Sequence, residues 1–317
     1  MFRKIIAGSA TLLAAISLTA CGGTATTGNT TEAKDITIGL AVPNVVSPFF
    51  NQVRMSVEKE AAAKGIQVVV ADANDNSEKQ VAQVEDFVTK NVDAIIYVAA
   101  GATAATVPVR TAKAAGIPVV TVDRNPEGAP GDTFIATDSI ASSTELGEWV
   151  VEQTKGKGVL GTIQGQIGTT PEIDRDKGFT NALSKAPGIK EVARQASQTW
   201  SQAEGFAIAT DMLQAHPEIT IFVAHADSLA LGAAQAARSA GRDDILIVGH
   251  DGDPAGLEAI INGTLGATET QPSVGIATLA VDSALKLINK ESVPEVQLQD
   301  GILTTKENAK EFIAKHP

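Results

Sequence analysis

Short apolar runs alternate with amphipathic stretches of helical periodicity along most of this chain, and this alternation constrains the fold more than any other feature. From Asp35 onward, predicted strands such as Ile36–Val42 and Gln67–Ala71 are each followed by a predicted helix, here Phe49–Lys64 and Glu78–Lys90. Strands that recur with a helix between them pair in parallel through right-handed crossovers. The pattern therefore predicts an α/β fold built on parallel sheets.

The alternation forms two successive series of similar length. The first ends after the strand Phe134–Thr137, and the second runs from the helix Ile140–Thr154 to the strand Leu265–Thr268. The last helix, Ser273–Asn289, and the tail from Asp300 have no partner strands of their own, so we expect both to return and complete the two lobes. We predict two doubly wound, Rossmann-like lobes with several crossings between them. The N-terminal lobe is predicted to hold residues 35–137 and 272–298, and the C-terminal lobe residues 138–271 and 299–317.

The amino terminus has the pattern of a targeting segment. The basic pair Arg3-Lys4 precedes the apolar run Ile5–Leu18, which is too short for an ordinary transmembrane helix, and small residues then lead to Cys21. This looks like a bacterial lipobox, so residues 1–20 are predicted to be a lipoprotein signal peptide. Cys21, the only cysteine, is the predicted site of lipid attachment, rather than a buried free thiol. The Gly/Thr-rich residues 21–34 are predicted to be a flexible tether.

Composition and motif searches disfavour several classes of protein. The net charge of −12 argues against a nucleic-acid partner, because such a surface needs a basic face. The chain has no G-x-G-x-x-G opening a helix after the first strand, no Walker loop and no G-x-S-x-G elbow. Its four histidines are scattered and its one cysteine is unpaired, so no zinc site is predicted. We expect no cofactor, no metal and no catalysis.

The strand Val119–Val122 ends in Asp123-Arg124, an acid beside a base. On a fully extended strand the two side chains point to opposite sides, but at a frayed carboxyl end both can turn into the crevice where open parallel sheets bind ligands. A carboxylate accepts hydrogen bonds and a guanidinium donates them, so the pair suits a neutral polyhydroxylated ligand. The alternative is a surface turn with a solvated ion pair.

Other candidate side chains follow the other predicted strands or begin the predicted helices. The aromatic residues Phe49 and Phe50 begin a helix in a chain that is only 4% aromatic, and Trp200 precedes another helix. An aromatic ring packs well on the apolar C–H face of a sugar, although either phenylalanine could belong to the core. Asp227 has a second interpretation as a helix N-cap. The polar candidates at predicted strand ends or loops are Arg175, Asp227, His250, Asp251 and Gln271.

In combination these motifs resemble the ribose-binding family of periplasmic sugar-binding proteins, the solute receptors of ABC importers, which share their fold with LacI-type repressor cores. The resemblance covers Asp35 to Lys315. It implies a monosaccharide held between two lobes that are joined by three hinge strands. It rests on Ser47-Pro48-Phe49-Phe50, Val122-Asp123-Arg124, Asp174 to Phe179, Ala226 to Ala233, Val248 to Gly252 and Gln271.

The resemblance also implies roles for individual residues. Phe49 and Trp200 would sandwich the sugar ring, and Phe50 would support it. The residues that would hydrogen-bond the hydroxyls are Asp123, Arg124, Arg175, Asp251 and Gln271.

Three positions depart from the pattern of ribose binders. Ser47 and Ala226 stand where asparagine is usual, and His250 stands where an aromatic such as phenylalanine is usual. These departures change which hydroxyls the site can satisfy, and a site built to bond hydroxyls rejects mismatched ligands strongly. We therefore expect the choice of sugar to be made at these three positions, and the sequence leaves the sugar and its ring form open.

The predicted function is an extracytoplasmic, lipid-anchored and monomeric receptor that delivers a monosaccharide to an ABC permease and its ATPase. A receptor that passes its signal to a chemotaxis or sensor-kinase partner would use the same pocket, so it stays an alternative. A sugar-responsive repressor would need an amino-terminal helix-turn-helix, where this chain has the predicted lipobox and tether. A hydrolase or dehydrogenase would need nucleophile or cofactor motifs that the sequence lacks.

Overall fold

The structure is a computed structural model, and it describes residues 35–313. The predictions for residues 1–34, which include the signal peptide, the tether and lipid attachment at Cys21, lie outside the described residues, as does His316.

Twelve strands and ten helices form in the described residues. The strands are β1 Thr37–Val42, β2 Gln67–Asp72, β3 Ala94–Tyr97, β4 Val119–Val122, β5 Thr133–Thr137, β6 Lys157–Gln164, β7 Gly188–Ala196, β8 Ile221–Ala224, β9 Leu246–Val248, β10 Thr268–Thr270, β11 Val296–Gln299 and β12 Ile302–Thr304. The helices are α1 Pro48–Ala63, α2 Ser77–Thr89, α3 Thr106–Ala114, α4 Ser139–Gln153, α5 Thr170–Leu183, α6 Gln202–Ala215, α7 Asp227–Ser239, α8 Pro254–Asn262, α9 Ser273–Ile288 and α10 Ala309–Ile313.

Two separate parallel sheets organise these elements. One sheet has the strand order β11-β5-β4-β3-β1-β2, and the other has the order β7-β6-β8-β9. Every pairing within both sheets is parallel, as the alternation of strands and helices predicts. We call the six-stranded sheet with its covering helices the N-lobe and the four-stranded sheet with its helices the C-lobe. The predicted α/β class with two doubly wound lobes is confirmed, while the residue bounds of the lobes stay a prediction.

Each lobe has its own apolar core. In the N-lobe, Leu40 of β1 and Val120 of β4 pack in one fully buried cluster with Ile276 of α9, so the last long helix returns to the first sheet. In the C-lobe, Phe222 of β8 and Leu229 of α7 are equally buried in a second cluster. The two cores leave the carboxyl ends of the strands free for polar side chains.

The chain passes between the two lobes three times: after β5, between β10 and α9, and between β11 and β12. At the crossings, the backbone N–H of Asp138 donates to the carbonyl of Gln299 at 2.8 Å. The short strands β10 and β12 pair antiparallel beside the C-lobe. A hinge of three neighbouring segments is therefore present.

The last helix and the tail return to the two lobes as predicted, but two strands near the end of the chain were not predicted. In the structure β11 pairs with β5 of the N-lobe, and β12 pairs with β10. Both strands are only three or four residues long and are separated by Asp300-Gly301. Segments this short carry too little periodicity to be distinguished from loop by their own residues.

Among residues 35–313, no helix combines the length and the apolar character needed to cross a membrane.

Candidate ligand site

A cavity of about 500 Å³ lies between the two lobes, at the carboxyl ends of their strands. This is the size range of small-molecule sites, and the position is the one where open α/β sheets bind ligands. All the predicted ligand-binding residues except Asp227 and His250 line it. They are Ser47, Phe49, Phe50, Asp123, Arg124, Arg175, Trp200, Ala226, Asp251 and Gln271.

The backbone at the end of β4 explains how Asp123 and Arg124 both reach this cavity. Asp123 has a left-handed φ of 61°, and the N–H of Arg124 donates to the carbonyl of Val122 at 2.6 Å, which closes a tight turn. The turn breaks the strict alternation of a strand, so neighbouring side chains line the same cavity. Asp123 Oδ2 lies 3.5 Å from Arg124 Nε. Both side chains are buried, which excludes the interpretation as a solvated surface turn.

The guanidinium of Arg124 is held in place by the N-lobe backbone. Its Nη1 donates to the carbonyls of Ala99 at 2.9 Å and Ala100 at 3.0 Å. Its carbon Cζ lies 5.1 Å from the ring centre of Phe50 and 5.9 Å from that of Trp200, within the range of cation–π attraction. Nε of Arg124 has no hydrogen-bond partner among the described residues. The guanidinium is therefore held in one orientation by the backbone and the two aromatic rings.

A hydrogen-bonded chain of side chains forms the opposite part of the site. Arg175 Nη2 lies 3.2 Å from Asp251 Oδ1, while Nη1 donates to the carbonyl of His225. Gln271 Nε2 donates to the same Asp251 oxygen at 2.8 Å. Thr137 Oγ1 in turn donates to Gln271 Oε1 at 2.8 Å. The site is thus tied to two of the three hinge segments.

Two aromatic groups line the cavity from different lobes. Trp200 has a left-handed φ of 58°, and its backbone N–H donates to Ser197 Oγ at 2.7 Å. Its ring lies so close to Gly165 that a Cβ there would be 1.8 Å from the ring, so only glycine fits. In the N-lobe, Phe49 and Phe50 pack edge to face, with ring centres 5.5 Å apart. The stacking of a sugar between Phe49 and Trp200 stays a prediction.

Ser47 and Ala226 occupy equivalent positions, one residue before α1 and α7. Neither side chain caps its helix. Asn44 Oδ1 instead accepts from the N–H of Ser47 at 2.7 Å, which leaves the Ser47 hydroxyl for the cavity. Ala226 contributes only a methyl group. The structure thus corrects the interpretation of Asp227 as an N-cap, since Ala226 holds that position.

Asp227 and His250 are the two predicted ligand-binding residues whose side chains do not face the cavity. Both side chains have no exposed surface, and neither lines the cavity. Asp227 accepts from Thr268 Oγ1 at 2.6 Å and from the N–H of Asp253 at 2.9 Å, so it joins α7 to the start of α8. His250 lies behind the site with its Nδ1 3.8 Å from Asp251 Oδ1. Alternation along a chain locates a polar residue near a strand end but does not say which way its side chain turns.

Burial raises the pKa values of the carboxylates in and behind the site. It raises the pKa of Asp123, and the positive charges of Arg124 and Arg175 oppose that shift. Burial raises the pKa of Asp251 in the same way, with Arg175 and Gln271 opposing it. The pKa of Asp227 is raised to about 7 by burial and by the charge of Asp251. Ionised carboxylates in this site therefore depend on the two arginines.

Several cavity residues were missed by the sequence analysis, although the same rule would have found them. Asn44 follows β1 and Asp75 follows β2, and Asn44 Nδ2 donates to Asp75 Oδ1 at 2.8 Å. Gln166 follows β6, and Asp253 precedes α8. Each stands beyond the carboxyl end of a strand, as Asp123 does, but none lies in a motif that the resemblance singled out.

Within the described part of the chain, no group of three or more His, Cys, Asp or Glu side chains is arranged to hold a metal ion. The cavity instead offers carboxylates, guanidiniums, amides and aromatic rings contributed by both lobes. Two doubly wound lobes joined by three segments, with such a cavity between them, define a two-lobed solute-binding protein.

Comparison with known proteins gives the family. Residues 38–292 match the family described as periplasmic binding protein domain. The chain is 33% identical to the ribose import binding protein of Bacillus subtilis over 266 residues, which cover 84% of this chain and 86% of that protein. It is also 33% identical to the D-apiose import binding protein of Paraburkholderia graminis over 304 residues, 94% of each. The chain therefore belongs to the ribose-type family of periplasmic sugar-binding proteins.

A solved structure agrees with this assignment. An ABC transporter solute binding protein from Bacillus halodurans with bound myo-inositol superposes with a TM-score of 0.84 at 30% identity. The match covers 90% of this chain and 100% of that chain.

Proposed function

We propose that this protein is an extracytoplasmic receptor that binds one neutral monosaccharide or related polyol between its lobes and delivers it to an ABC importer. The observation that carries the proposal is the pairing of acids with bases around one cavity. Asp123 lies beside Arg124, and Asp251 lies beside both Arg175 and Gln271. Each pair presents acceptors and donors together, which is what vicinal hydroxyls require.

The ligands of the relatives support a neutral, polyhydroxylated ligand. Ribose, D-apiose and myo-inositol are named for three proteins that resemble this chain along most of its length. All three ligands are uncharged and carry a hydroxyl on most of their carbons. A buried site can hold such a ligand because charge-assisted hydrogen bonds replace the water that its hydroxyls lose.

Closure of the lobes explains how binding is communicated to a permease. The cavity walls come from both lobes, so a ligand that contacts Arg124 and Arg175 together favours the closed arrangement. The closed protein presents one continuous surface made from both lobes, which an importer can distinguish from the open form. In this proposal the receptor acts as a monomer, is attached to the membrane through lipid on Cys21, and binds its ligand without chemical turnover.

Thermal-shift measurement with a panel of pentoses, hexoses, polyols and cyclitols tests the proposal. A ligand that binds only the native state, at 100 times its Kd, stabilises it by about 2.7 kcal/mol. We expect at least one neutral sugar or polyol to raise the melting temperature, and NMR of the released ligand to show it unchanged. If no member of the panel raises the melting temperature, the proposal fails. If the released ligand is altered, binding without turnover fails.

Substitution of Asp123 tests whether the sugar that raises the melting temperature binds in the cavity. Asp123→Asn removes the charge but keeps a residue type that tolerates a left-handed φ. We expect it to lower the affinity by about 10- to 100-fold, since hydrogen bonds to charged groups contribute about 1.5–3 kcal/mol. Asp211→Asn, on the exposed face of α6, is the matched control and should bind like the wild type. Equal affinities for all three proteins would place the ligand elsewhere.

A further inference from the structure

Asp253 is a buried carboxylate in the cavity wall that the family resemblance does not single out. Its side chain is 7% exposed and lines the cavity. Within residues 35–313, no group donates a hydrogen bond to that carboxylate. A carboxylate that faces a cavity without a protein donor keeps its hydrogen-bonding capacity for whatever occupies that cavity. A ligand atom is the group that can use this capacity.

The local backbone rules out helix capping as the role of this carboxylate. Asp253 is the N-cap residue of α8, but its side chain makes no capping hydrogen bond. Pro254 follows it and has no N–H to offer. The backbone N–H of Asp253 is held by Asp227 Oδ2 at 2.9 Å, so the residue stays in place without help from its own side chain. The carboxylate is thus left for the cavity.

Apart from Asp251, the cavity residues near Asp253 in the chain or flanking its partner Asp227 are short or apolar. We call the group Ala226, Ser228, Leu231, Asp253 and Ala255 the Asp253 corner; all five residues line the cavity. Ala226 ends in a methyl group, and the Ser228 hydroxyl already donates to the carbonyl of Trp200 at 2.5 Å. The Ser228 hydroxyl has used its one donor, so Asp253 is the acidic group of the corner and has no protein partner for its carboxylate.

The charges around the corner favour an uncharged ligand group. Burial raises the pKa of Asp253 well above its usual range, the charges of Asp251 and Asp227 raise it further, and Arg175 opposes them. A carboxyl that retains its proton both donates and accepts, which matches a hydroxyl group. Arg124 and Arg175 line the same cavity, and their positive charges disfavour a cationic ligand.

Resting on the proposed function, we infer that Asp253 is a specificity-determining residue that hydrogen-bonds an additional hydroxyl of a neutral six-carbon ligand. The paired groups around Asp123 and Arg175 hold the ring hydroxyls that pentoses and hexoses share. The Asp253 corner then holds the hydroxymethyl group or additional ring carbon by which a hexose or a cyclitol exceeds a pentose. The ligand class is thus narrowed to neutral hexoses and cyclitols.

Pairs of sugars that differ only by that group provide the test. D-Allose and D-ribose, D-glucose and D-xylose, and D-galactose and L-arabinose each share their ring configuration in the pyranose form. The wild type is titrated calorimetrically with these pairs and with myo-inositol. At least one six-carbon ligand should bind about 10-fold or more tightly than the pentoses: a hexose is compared with its pentose counterpart, and myo-inositol with every pentose of the panel. Asp253→Ala should weaken that six-carbon ligand by about 10- to 100-fold and the pentoses by less than about 3-fold.

Stability measurements on the ligand-free proteins separate recognition from a structural role. Removing an unsatisfied buried acid should leave the melting temperature of Asp253→Ala equal to or above that of the wild type. Asp211→Ala, on an exposed part of α6, is the control for removing an aspartate and should change neither affinity nor stability. A lower melting temperature with equal losses for pentoses and hexoses would assign Asp253 a structural role and overturn the inference.

The outcomes distinguish this inference from the proposed function. If no neutral sugar binds the wild type, the proposed function fails and the inference fails with it. If a pentose binds more tightly than every six-carbon ligand, or Asp253→Ala changes no affinity, the inference fails while the proposed function stands. Tighter binding of an amino sugar than of its hydroxyl parent would overturn the assignment to neutral ligands.

Discussion

The side-chain amide of Gln271 donates to Asp251 Oδ1 at 2.8 Å, and this bond joins a hinge segment directly to the ligand site. The oxygen of the same amide accepts from Thr137 Oγ1. Thr137 is the last residue of β5, at another crossing between the lobes. The carboxylate that faces the ligand is therefore oriented by the segments that must bend when the lobes move.

Gln271→Ala should weaken sugar binding by about 10-fold, because Asp251 would lose one of its two oriented donors. Thr137→Val is the matched variant, since it removes the bond to Oε1 and leaves the one to Asp251. We expect a smaller loss, of about 3-fold, from that change. Calorimetric titration with the best ligand checks both values. A larger effect from Thr137→Val would mean that the hinge bond, and not the contact with Asp251, controls affinity.

Trp200 is expected to report ligand binding through its fluorescence. Its ring lies in the cavity wall, with the guanidinium of Arg175 5.7 Å from the ring centre. Trp149, the other tryptophan, packs in the C-lobe core beside Leu246 and does not line the cavity. Ligand should therefore change the emission of the wild type and of Trp149→Phe, but change that of Trp200→Phe little. An unchanged ligand response in Trp200→Phe would contradict this placement.

Stacking on Trp200 should also contribute to affinity. Trp200→Ala is expected to weaken binding by about 10- to 100-fold, whereas Trp200→Phe keeps an aromatic face and should lose less than about 5-fold. Titration of both variants with the same sugar gives the comparison. Similar losses from the two would show that the indole itself, and not an aromatic surface, is required.

Thr170 of the C-lobe forms a contact with Asn125 of the N-lobe, and neither residue lines the cavity. Its Oγ1 accepts from the backbone N–H of Asn125 at 2.9 Å and donates to the carbonyl of the same residue at 3.3 Å. Thr170→Val keeps the shape but removes both interlobe hydrogen bonds, each of which contributes about 0.5–1.5 kcal/mol to the closed state. We expect a weaker affinity, by about 3- to 10-fold, and a faster ligand dissociation measured by stopped flow.

The control for that substitution is Thr210→Val, in which the lost hydrogen bond lies inside α6. It should leave the dissociation rate unchanged. If Thr170→Val also dissociates at the wild-type rate, the contact with Asn125 does not hold the lobes closed.

Glu269 makes stability depend on pH. Its carboxylate lies on β10 with no exposed surface, and neither oxygen has a hydrogen-bond partner among residues 35–313. Burial, together with the charge of Glu145, raises its pKa from 4.5 to about 9. The folded state therefore holds a proton that the unfolded state releases above pH 4.5. The free energy of unfolding should fall as the pH rises from about 5 to 9, because each unit of pKa difference corresponds to about 1.4 kcal/mol.

Glu269→Gln removes that titration. At pH 8 we expect the variant to be more stable than the wild type by about 1–3 kcal/mol, and at pH 5 the difference should disappear or change sign. Urea unfolding of both proteins at several pH values measures this difference in the free energy of unfolding. A stability difference that does not vary with pH would show that Glu269 is charged in the folded protein.

The repeated strand–helix pattern was sufficient to predict the two doubly wound lobes, because burial on both faces of a parallel sheet requires continuous apolar runs. It also predicted where polar groups collect, since parallel strands end on the same edge of a sheet. Asp123 and Asp251 were found in this way, whereas Arg175 lies inside α5 and was singled out by its motif. The short strands β11 and β12 were not predicted, because their pairing with β5 and β10 depends on contacts distant in sequence.

Side-chain direction was the other property that the sequence could not supply. Asp227 and His250 stand beside residues that line the cavity, Ala226 and Asp251, yet both turn into the protein. Asp253 shows the reverse case: a position typical of a helix cap carries a carboxylate that faces the cavity. In each case a backbone hydrogen bond or a neighbouring helix decides the direction, and neither can be inferred from residue type.

By itself, the sequence determined the class of fold, the family and the edge of each sheet at which a ligand would bind, because these follow from periodicity and from residues close together in the chain. The tertiary structure alone decided that Asp123 and Arg124 turn into one cavity, that Arg175, Asp251 and Gln271 form one hydrogen-bonded chain, and that Asp253 is left without a partner. Arg175 lies on α5, Asp251 follows β9 and Gln271 lies on a hinge segment, and only the packing of these elements brings the three side chains within hydrogen-bonding distance.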